Sequence, residues 1–364
     1  MSIRLSPKTK RNISRIIPFG IIWFLLGNIF LFIDVAAVGD AEVPASAIQL
    51  NFEIYLFASI GIFFVGILIG TIEVLFLNKR FADRSLLQKL TFKTLIYASI
   101  LFTIILILFP IAASMYLNTG VTDLRVWEKY FLFLQSKTYA STNIQLAVEL
   151  VASLFYFELS ENIGHGTMIK FLTGRYHQPT QESRVFMFLD MKSSTTIAEQ
   201  LGHLRYFDFL KSYYNDLADA IISYEGEIYD YVGDEVIISW PIEKGISDYS
   251  CLQCFLAMKN DLQRRYPFYL KQFGVQPTFK AGLHCGVVTT GEIGVLKKEI
   301  IFTGDVLNAT ARIQALCNDY GVDILISGKL IAQFPGKTDF QFQSLGKNEL
   351  RGKSESITLY TFKN

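Results

Sequence analysis

EIYDYVGDEVIISW, residues 227–240, decides the fold of the second half of this chain. Two runs rich in β-branched and aromatic residues flank Gly233-Asp234, so the stretch reads as a hairpin, with strands over 227–232 and 236–240. Upstream, RVFMFLDMKSST (184–195) gives a strand over 184–189 that runs into Asp190. Downstream, FTGDVLNATARI (302–313) opens a helix over 305–317. Asp190 and Asp234 each end or follow an apolar run, where a carboxylate is poorly placed unless something pairs with it. Two such carboxylates could hold two divalent metals around a triphosphate. Asn308 and Arg312 are four apart and share a helix face, which could stabilise charge developing on a phosphoryl group.

Around these stretches the soluble half alternates strand and helix signals. Helices are predicted over 193–201, 204–223 and 246–266. Further strands are predicted over 278–285, 299–303, 323–326, 340–345 and 356–362. The order is α+β, with helices packed on one mainly antiparallel sheet. The four cysteines, Cys251, Cys254, Cys285 and Cys317, all fall in this half. That suits a reducing compartment without a disulfide framework. Cys251 and Cys254 form a CxxC with no second ligand pair, so helix packing is the better account than zinc or redox chemistry.

The first half differs. Composition is 51% hydrophobic overall, and most of that excess precedes residue 160. Ile16–Ile33, Ile54–Leu77 and Leu95–Leu117 each reach the roughly 20 residues that cross a bilayer. Ile144–Leu159 is a fourth, weaker span because it carries Gln145, Glu149 and Glu158. No small-residue cleavage site follows the first run, which argues against a removable signal peptide. Arg4, Lys8, Lys10, Arg11 and Arg15 precede span one, and Lys79, Arg80, Arg84, Lys89 and Lys93 lie between spans two and three. The loop between spans one and two has no Lys or Arg, so the N-terminus and the second loop are expected on the cytoplasmic side. A fourth span brings the second half to that side as well. Glu73 and Glu149, inside spans, are functional candidates, with helix packing the blander and preferred reading. The expected organisation is a four-span membrane domain over 1–159, a helical connector over 160–182 and a catalytic domain over 183–364. The net charge of +1 and the lack of a basic stripe in the second half argue against a nucleic-acid partner.

FLDMKSST, YVGDEV, GLHCGVVTTGEIG and TGDVLNATAR, in this order, resemble the catalytic domain of class III nucleotidyl cyclases, and the whole chain looks like bacterial membrane-anchored members in the cell (inner) membrane. The resemblance covers about half the chain. It implies a ferredoxin-like fold that works as a head-to-tail homodimer, with each active site shared between partners. It implies two Mg²⁺ or Mn²⁺ per site, held by Asp190, Asp234 and the backbone carbonyl of Met191. Asn308 matches the residue that orients the ribose, and Arg312 the one that stabilises the pentavalent phosphorus. Arg351 matches a triphosphate-binding position, with Lys353 a nearby rival. The base-reading positions are Asp230 and Ile301, where adenylate cyclases of the family carry Lys and Asp or Thr. A carboxylate at 230 suits the N–H donors of guanine, whereas Ile301 cannot hydrogen-bond at all. ATP remains the preferred substrate, by analogy with bacterial relatives, and GTP is the alternative.

Plainer roles compete with these. Asp190 could cap the next helix, Asp234 could serve only the turn, and Arg312 could be a solvated helix residue. His284 is read as a packing residue. Glu235 is expected to point away from Asp234 across the strand, so no metal role is given to it. Three other functions fit less well. A silent cyclase-like regulatory module would normally lack one of Asp190, Asp234, Asn308 and Arg312. A diguanylate cyclase would carry Gly and Phe where Val232 and Val236 stand. A channel or transporter would need polar residues that the spans lack.

Overall fold

A computed structural model describes residues 5–38, 44–80, 85–164, 168, 173–174, 176–296, 298–336, 340–349 and 356–363. The chain divides into two compact units, Thr9–Ile169 and a second comprising Met1–Lys8 with Lys170–Asn364. Arg351 and Lys353 lie outside the described residues.

The first unit is helical. Its helices are α1 (Pro7–Val38), α2 (Phe52–Ile72), α3 (Leu86–Leu117), α4 (Leu124–Leu134) and α5 (Lys137–Ile163). Among the described residues three helices are long and apolar enough to cross a bilayer, over Pro7–Ala36, Phe52–Leu77 and Leu87–Leu117. The expected four apolar spans therefore reduce to three. The fourth segment does form a helix of 27 residues, α5, but Glu149, Glu158 and Glu161 dilute its apolar character. Packing nevertheless draws α5 into the bundle. Phe19 and Trp23 of α1, Val65 and Ile69 of α2, Tyr97 and Leu101 of α3, and Leu150, Leu154 and Phe157 of α5 share one core. Gly66 allows the closest approach. A Cβ there would lie 2.8 Å from the Phe19 carbonyl oxygen and 2.7 Å from the Trp23 Cβ. Small residues at such crossings let helix backbones meet in an apolar solvent.

Buried charge around Lys93 is paired, whereas Glu149 Oε2 on α5 is buried without a hydrogen-bond partner. Lys93 Nζ lies 2.6 Å from Glu73 Oε1 and 2.9 Å from Glu158 Oε1. The Tyr97 hydroxyl donates to Glu73 Oε2 at 2.8 Å. Glu73 opens a π-helical turn, Glu73–Leu77, that follows α2. The preferred packing account of Glu73 thus has a physical form, an ion cluster joining three helices. The amphipathic α4 was not anticipated from sequence. Its Tyr130 and Phe133 pack on Ile105 and Phe109 of α3, with Phe133 stacked at 4.1 Å between ring centroids.

Among the described residues the second unit has eight strands: β1 (Thr180–Met191), β2 (Glu227–Val232), β3 (Glu235–Pro241), β4 (Phe279–Ile293), β5 (Glu299–Thr303), β6 (Ile324–Ser327), β7 (Gln341–Glu349) and β8 (Ser356–Lys363). Its main helices are α6 (Ser194–Leu201), α7 (His203–Ser223), α8 (Ser250–Arg264), α9 (Tyr266–Phe273) and α10 (Asp305–Ala315). The sheet order is β2-β3-β1-β4-β6-β8-β7, with β5 paired to β4. The pairing of β4 with β6 is parallel and the other pairings are antiparallel. From β1 to β4 the chain runs β-α-β-β-α-β, with β1 and β4 adjacent at the centre, which is the ferredoxin-like arrangement.

Alternation along β1 divides the sheet into two faces. Val185, Met187 and Leu189 point into the main core with Phe209, Tyr213 and Leu217 of α7 and Leu252 and Phe255 of α8. Phe186 and Phe188 point the other way, with Ile237, Val288 and Val306. α10 covers that second face. It approaches so closely that a Cβ on Gly282 would lie 2.4 Å from the Gln314 backbone nitrogen. All four cysteines are buried and free. Cys251 and Cys254 lie on α8 within the main core, where burial pushes both thiols up, as the packing account requires.

Candidate active site

Asp190 stands near the end of β1, on the face of Phe186 and Phe188. Asp234 sits in the turn that joins β2 to β3, just after Gly233 at φ +66°. That backbone region suits glycine. The Tyr214 hydroxyl on α7 donates to the Gly233 carbonyl, and its ring packs on Tyr231 at 4.6 Å. The turn is therefore held from the side of α7 and not by strand pairing alone.

The two carboxyl groups are electrostatic neighbours. Burial first, and the Asp234 carboxylate second, raise the Asp190 carboxyl above its ordinary range, while Lys280 pulls the other way. One Asp234 oxygen, Oδ2, is buried without a hydrogen-bond partner. Buried polar atoms are nearly always satisfied, so an orphaned carboxylate oxygen beside a second carboxylate is a place that fits a cation. Asp190 Oδ2 takes two donors, Gln314 Nε2 at 3.1 Å and Lys280 Nζ at 3.3 Å. Met191 ends β1 with its side chain in the main core, so it can present only backbone to this site. Among the described residues no group of three or more His, Cys, Asp or Glu side chains gathers as a metal cluster. The set expected from sequence, two carboxylates and a carbonyl, does not call for one.

The capping role weighed for Asp190 has no counterpart in this geometry. Ser193 precedes the first turn of α6, and the Asp190 carboxylate is engaged by β4 and α10. Glu235 departs from expectation. Leu189 pairs with Val236, which sets Asp190 and Glu235 at the adjacent position, on the face of Phe188 and Ile237. Burial first, then Asp190 and Asp234, push the Glu235 carboxyl up to about 7. The parity count failed because it began at Asp234, which belongs to the turn and not to the strand.

Asn308 is exposed and Arg312 half-buried, both on α10. Asp230 is exposed on β2, where its Oδ1 accepts from the Tyr231 backbone N–H at 2.8 Å. A register irregularity lies between Ile228 and Asp230. Tyr229 there packs on Phe302 of β5 at 4.8 Å, and its hydroxyl accepts from the Phe302 N–H at 3.3 Å. Ile301 is half-buried on β5. Thus the strands carrying Asp230 and Ile301 are joined through their neighbours. His284 Nδ1 lies 2.7 Å from Ser327 Oγ in a buried setting, which fits its packing role. Sequence reasoning missed Lys280, Gln314 and Tyr214, because each acts across elements far apart in the chain. Only the parity of Lys280 within a long β4 could have hinted at its face.

The model of the adenylate and guanylate cyclase catalytic domain matches residues 176–364. The chain belongs to this family, and its second unit is a class III cyclase catalytic domain. Adenylate cyclase 2 of Rhizobium meliloti (strain 1021) is 34% identical over 206 residues, which are 57% of this chain and 57% of that protein. An adenylate cyclase of Anabaena cylindrica is 26% identical over 183 residues, 49% of this chain and 36% of that protein. The chain thus spans about half or less of the length of these curated relatives. A solved bacterial light-regulated adenylyl cyclase shares the fold, with a TM-score of 0.53 and 20% identity over 61% of this chain and 64% of that one.

Proposed function

We propose that this protein is a membrane-bound nucleotidyl cyclase that converts ATP to cyclic AMP and pyrophosphate for intracellular signalling, with cyclic GMP from GTP as the second reading. The observation that carries the proposal is the Asp190–Asp234 pair with its unsatisfied buried oxygen, set in a domain of the cyclase family. In this reading Asp190, Asp234 and the Met191 carbonyl hold two Mg²⁺ or Mn²⁺. When bound, such ions polarise the ribose 3′-hydroxyl and neutralise the triphosphate. The 3′-oxygen then gives up its proton to solvent and bonds to the α-phosphorus as the bond to pyrophosphate breaks. Asn308 orients the ribose, and Arg312 stabilises the charge that builds on the phosphoryl oxygens. Asn308 and Arg312 act in the site of a second copy, so the working unit is a homodimer. Arg351 or Lys353 binds the triphosphate.

Asp230 supports the GTP reading, because a carboxylate can accept from guanine N1–H and N2–H. The adenylate cyclase relatives support ATP, and Ile301 discriminates neither base.

The membrane part is proposed to cross four times, α5 being the fourth crossing. Two of its three acids are compensated within the bundle, Glu158 by Lys93 and Lys89, and Glu161 by Arg15 at 2.6 Å, while Glu149 Oε2 is left without a hydrogen-bond partner. Four crossings place the catalytic domain over 183–364 in the cytoplasm, where nucleotide is found, with 160–182 as the connector. The test is product formation by the purified full-length chain with Mn²⁺, offered ATP and GTP in parallel. Cyclic AMP supports the leading reading and cyclic GMP the second. Neither product, from protein that melts cooperatively, would sink both.

A further inference from the structure

Two side chains that no motif singled out converge on one oxygen of Asp190, and they differ in kind. Lys280 Nζ, on the next strand, lies 3.3 Å from Asp190 Oδ2, and its side chain is 11% exposed. Gln314 Nε2, on α10, lies 3.1 Å from the same oxygen, and Gln314 is 6% exposed. Gln314 is fixed by its backbone, since Gly282 leaves no room between β4 and α10 even for a methyl group. Lys280 has a flexible four-carbon stem and a compact charge that can swing aside. A neutral donor orients a carboxylate without opposing a metal ion. An ammonium at this distance neutralises the bare carboxylate pair but repels any divalent cation that arrives.

We propose that Lys280 is an internal counter-cation of the Asp190–Asp234 pair, which a divalent cation must displace, and that Gln314 is the positioning residue that stays on Asp190 throughout. The assignment rests on the metal-binding reading of that pair. It predicts opposite signs for two neighbouring substitutions. Removing the ammonium relieves repulsion, so the cation binds more tightly while the metal-free protein loses stability. Removing the amide frees the Asp190 carboxylate to rotate, so the cation binds more weakly. A merely structural role for both residues would shift the two affinities in the same direction.

The experiment uses the full-length chain in detergent, with Mn²⁺ alone as the probe, read by titration calorimetry and by melting in Mn²⁺ and in EDTA. Lys280→Met is expected to bind Mn²⁺ about tenfold more tightly, to melt lower in EDTA and to gain more from Mn²⁺ than wild type. Gln314→Leu is expected to bind about tenfold more weakly, as is usual for groups that orient metal ligands. Lys280→Gln, which keeps a polar side chain, should follow Lys280→Met if charge is the cause, and it serves if the methionine variant does not fold. Unchanged or weaker Mn²⁺ binding in the Lys280 variants would overturn the counter-cation role. Wild type that binds no Mn²⁺ would overturn the assignment itself. Wild type that binds Mn²⁺ but makes no cyclic nucleotide would sink the proposed function and leave this assignment standing.

Discussion

Asp234 carries a free energy cost that its turn does not repay. Its buried Oδ2 lacks a partner and lies beside the Asp190 carboxylate. Groups kept under such strain are characteristic of reacting sites. Replacing Asp190 or Asp234 with alanine is expected to lower turnover by at least about 10²–10³-fold. Asp234→Ala should leave melting in EDTA equal to wild type or higher, since one of two like charges is gone, whereas Asp190→Ala also strips Lys280 and Gln314 of their acceptor and should melt somewhat lower. A variant that loses turnover only because it melts early would count against the site. Asp323, also far from any motif, predicts pH dependence. Burial would raise its carboxyl, but Lys192 and Lys259 outweigh burial and hold it below the ordinary value of 3.8. A depressed value in the folded state stabilises above the unfolded value and loses that contribution as pH falls through the folded one. Acid melting of the catalytic unit should therefore steepen below about pH 4. Asp323→Asn should flatten that fall and lower stability at neutral pH, as followed by thermal melts across pH.

At the scale of elements, α10 and the helices of the first unit offer two kinds of contact to test. α10 sits on β4 by close packing. Gly282→Ala should force the two apart at a cost of about 1–3 kcal/mol, measured by chemical denaturation, and it should weaken Mn²⁺ binding because Gln314 moves with the helix. The helices of the first unit add a buried ion cluster to their apolar packing. Lys93→Met leaves Glu73 and Glu158 without their buried cation, and should cost about 3–5 kcal/mol in the melting of the first unit in detergent. Replacing Lys93, Glu73 and Glu158 together with apolar residues of similar size should recover most of it. These elements also show what the sequence could disclose. The apolar run in Arg184–Leu189 and the Gly233 hairpin were legible, because a short β-branched or aromatic apolar run marks a buried strand and turns have a fixed chemistry. The full 15-residue length of β4 was not, since Gly286 and Gly291 break the pattern of a run that pairs on both edges. Nor was α4, whose 11 residues are too short to read as a span and whose apolar face answers to α3. Asp190 and Asp234 were found because carboxylates at strand ends are conspicuous. Lys280 and Gln314 were not, because their meaning lies in a contact with Asp190, 90 and 124 positions away.

The whole molecule raises the question of how many chains make one site. On a single chain α10 turns Gln314 inward to Asp190, while Asn308 is exposed and Arg312 half-buried. On a helix Asn308 and Arg312 share a face, and residue 314 falls roughly opposite it at 100° per residue. If the proposed homodimer is right, that outward face serves the site of a second copy. A two-fold dimer then contains two composite sites, each with carboxylates from one chain and Asn/Arg from the other. Asp190→Ala and Arg312→Ala homodimers would each lack a group at both sites and should be inactive. A heterodimer of the two would place both defects in one site and leave the other whole. It should regain about half the turnover of a wild-type dimer, and a random mixture about a quarter, since half of its dimers are mixed. Differently tagged chains purified in tandem would isolate the heterodimer, and cyclic nucleotide formation would be compared with each parent. Turnover no higher than the parents, in verified heterodimers, would mean that Asn308 and Arg312 serve their own chain and that the site is not shared.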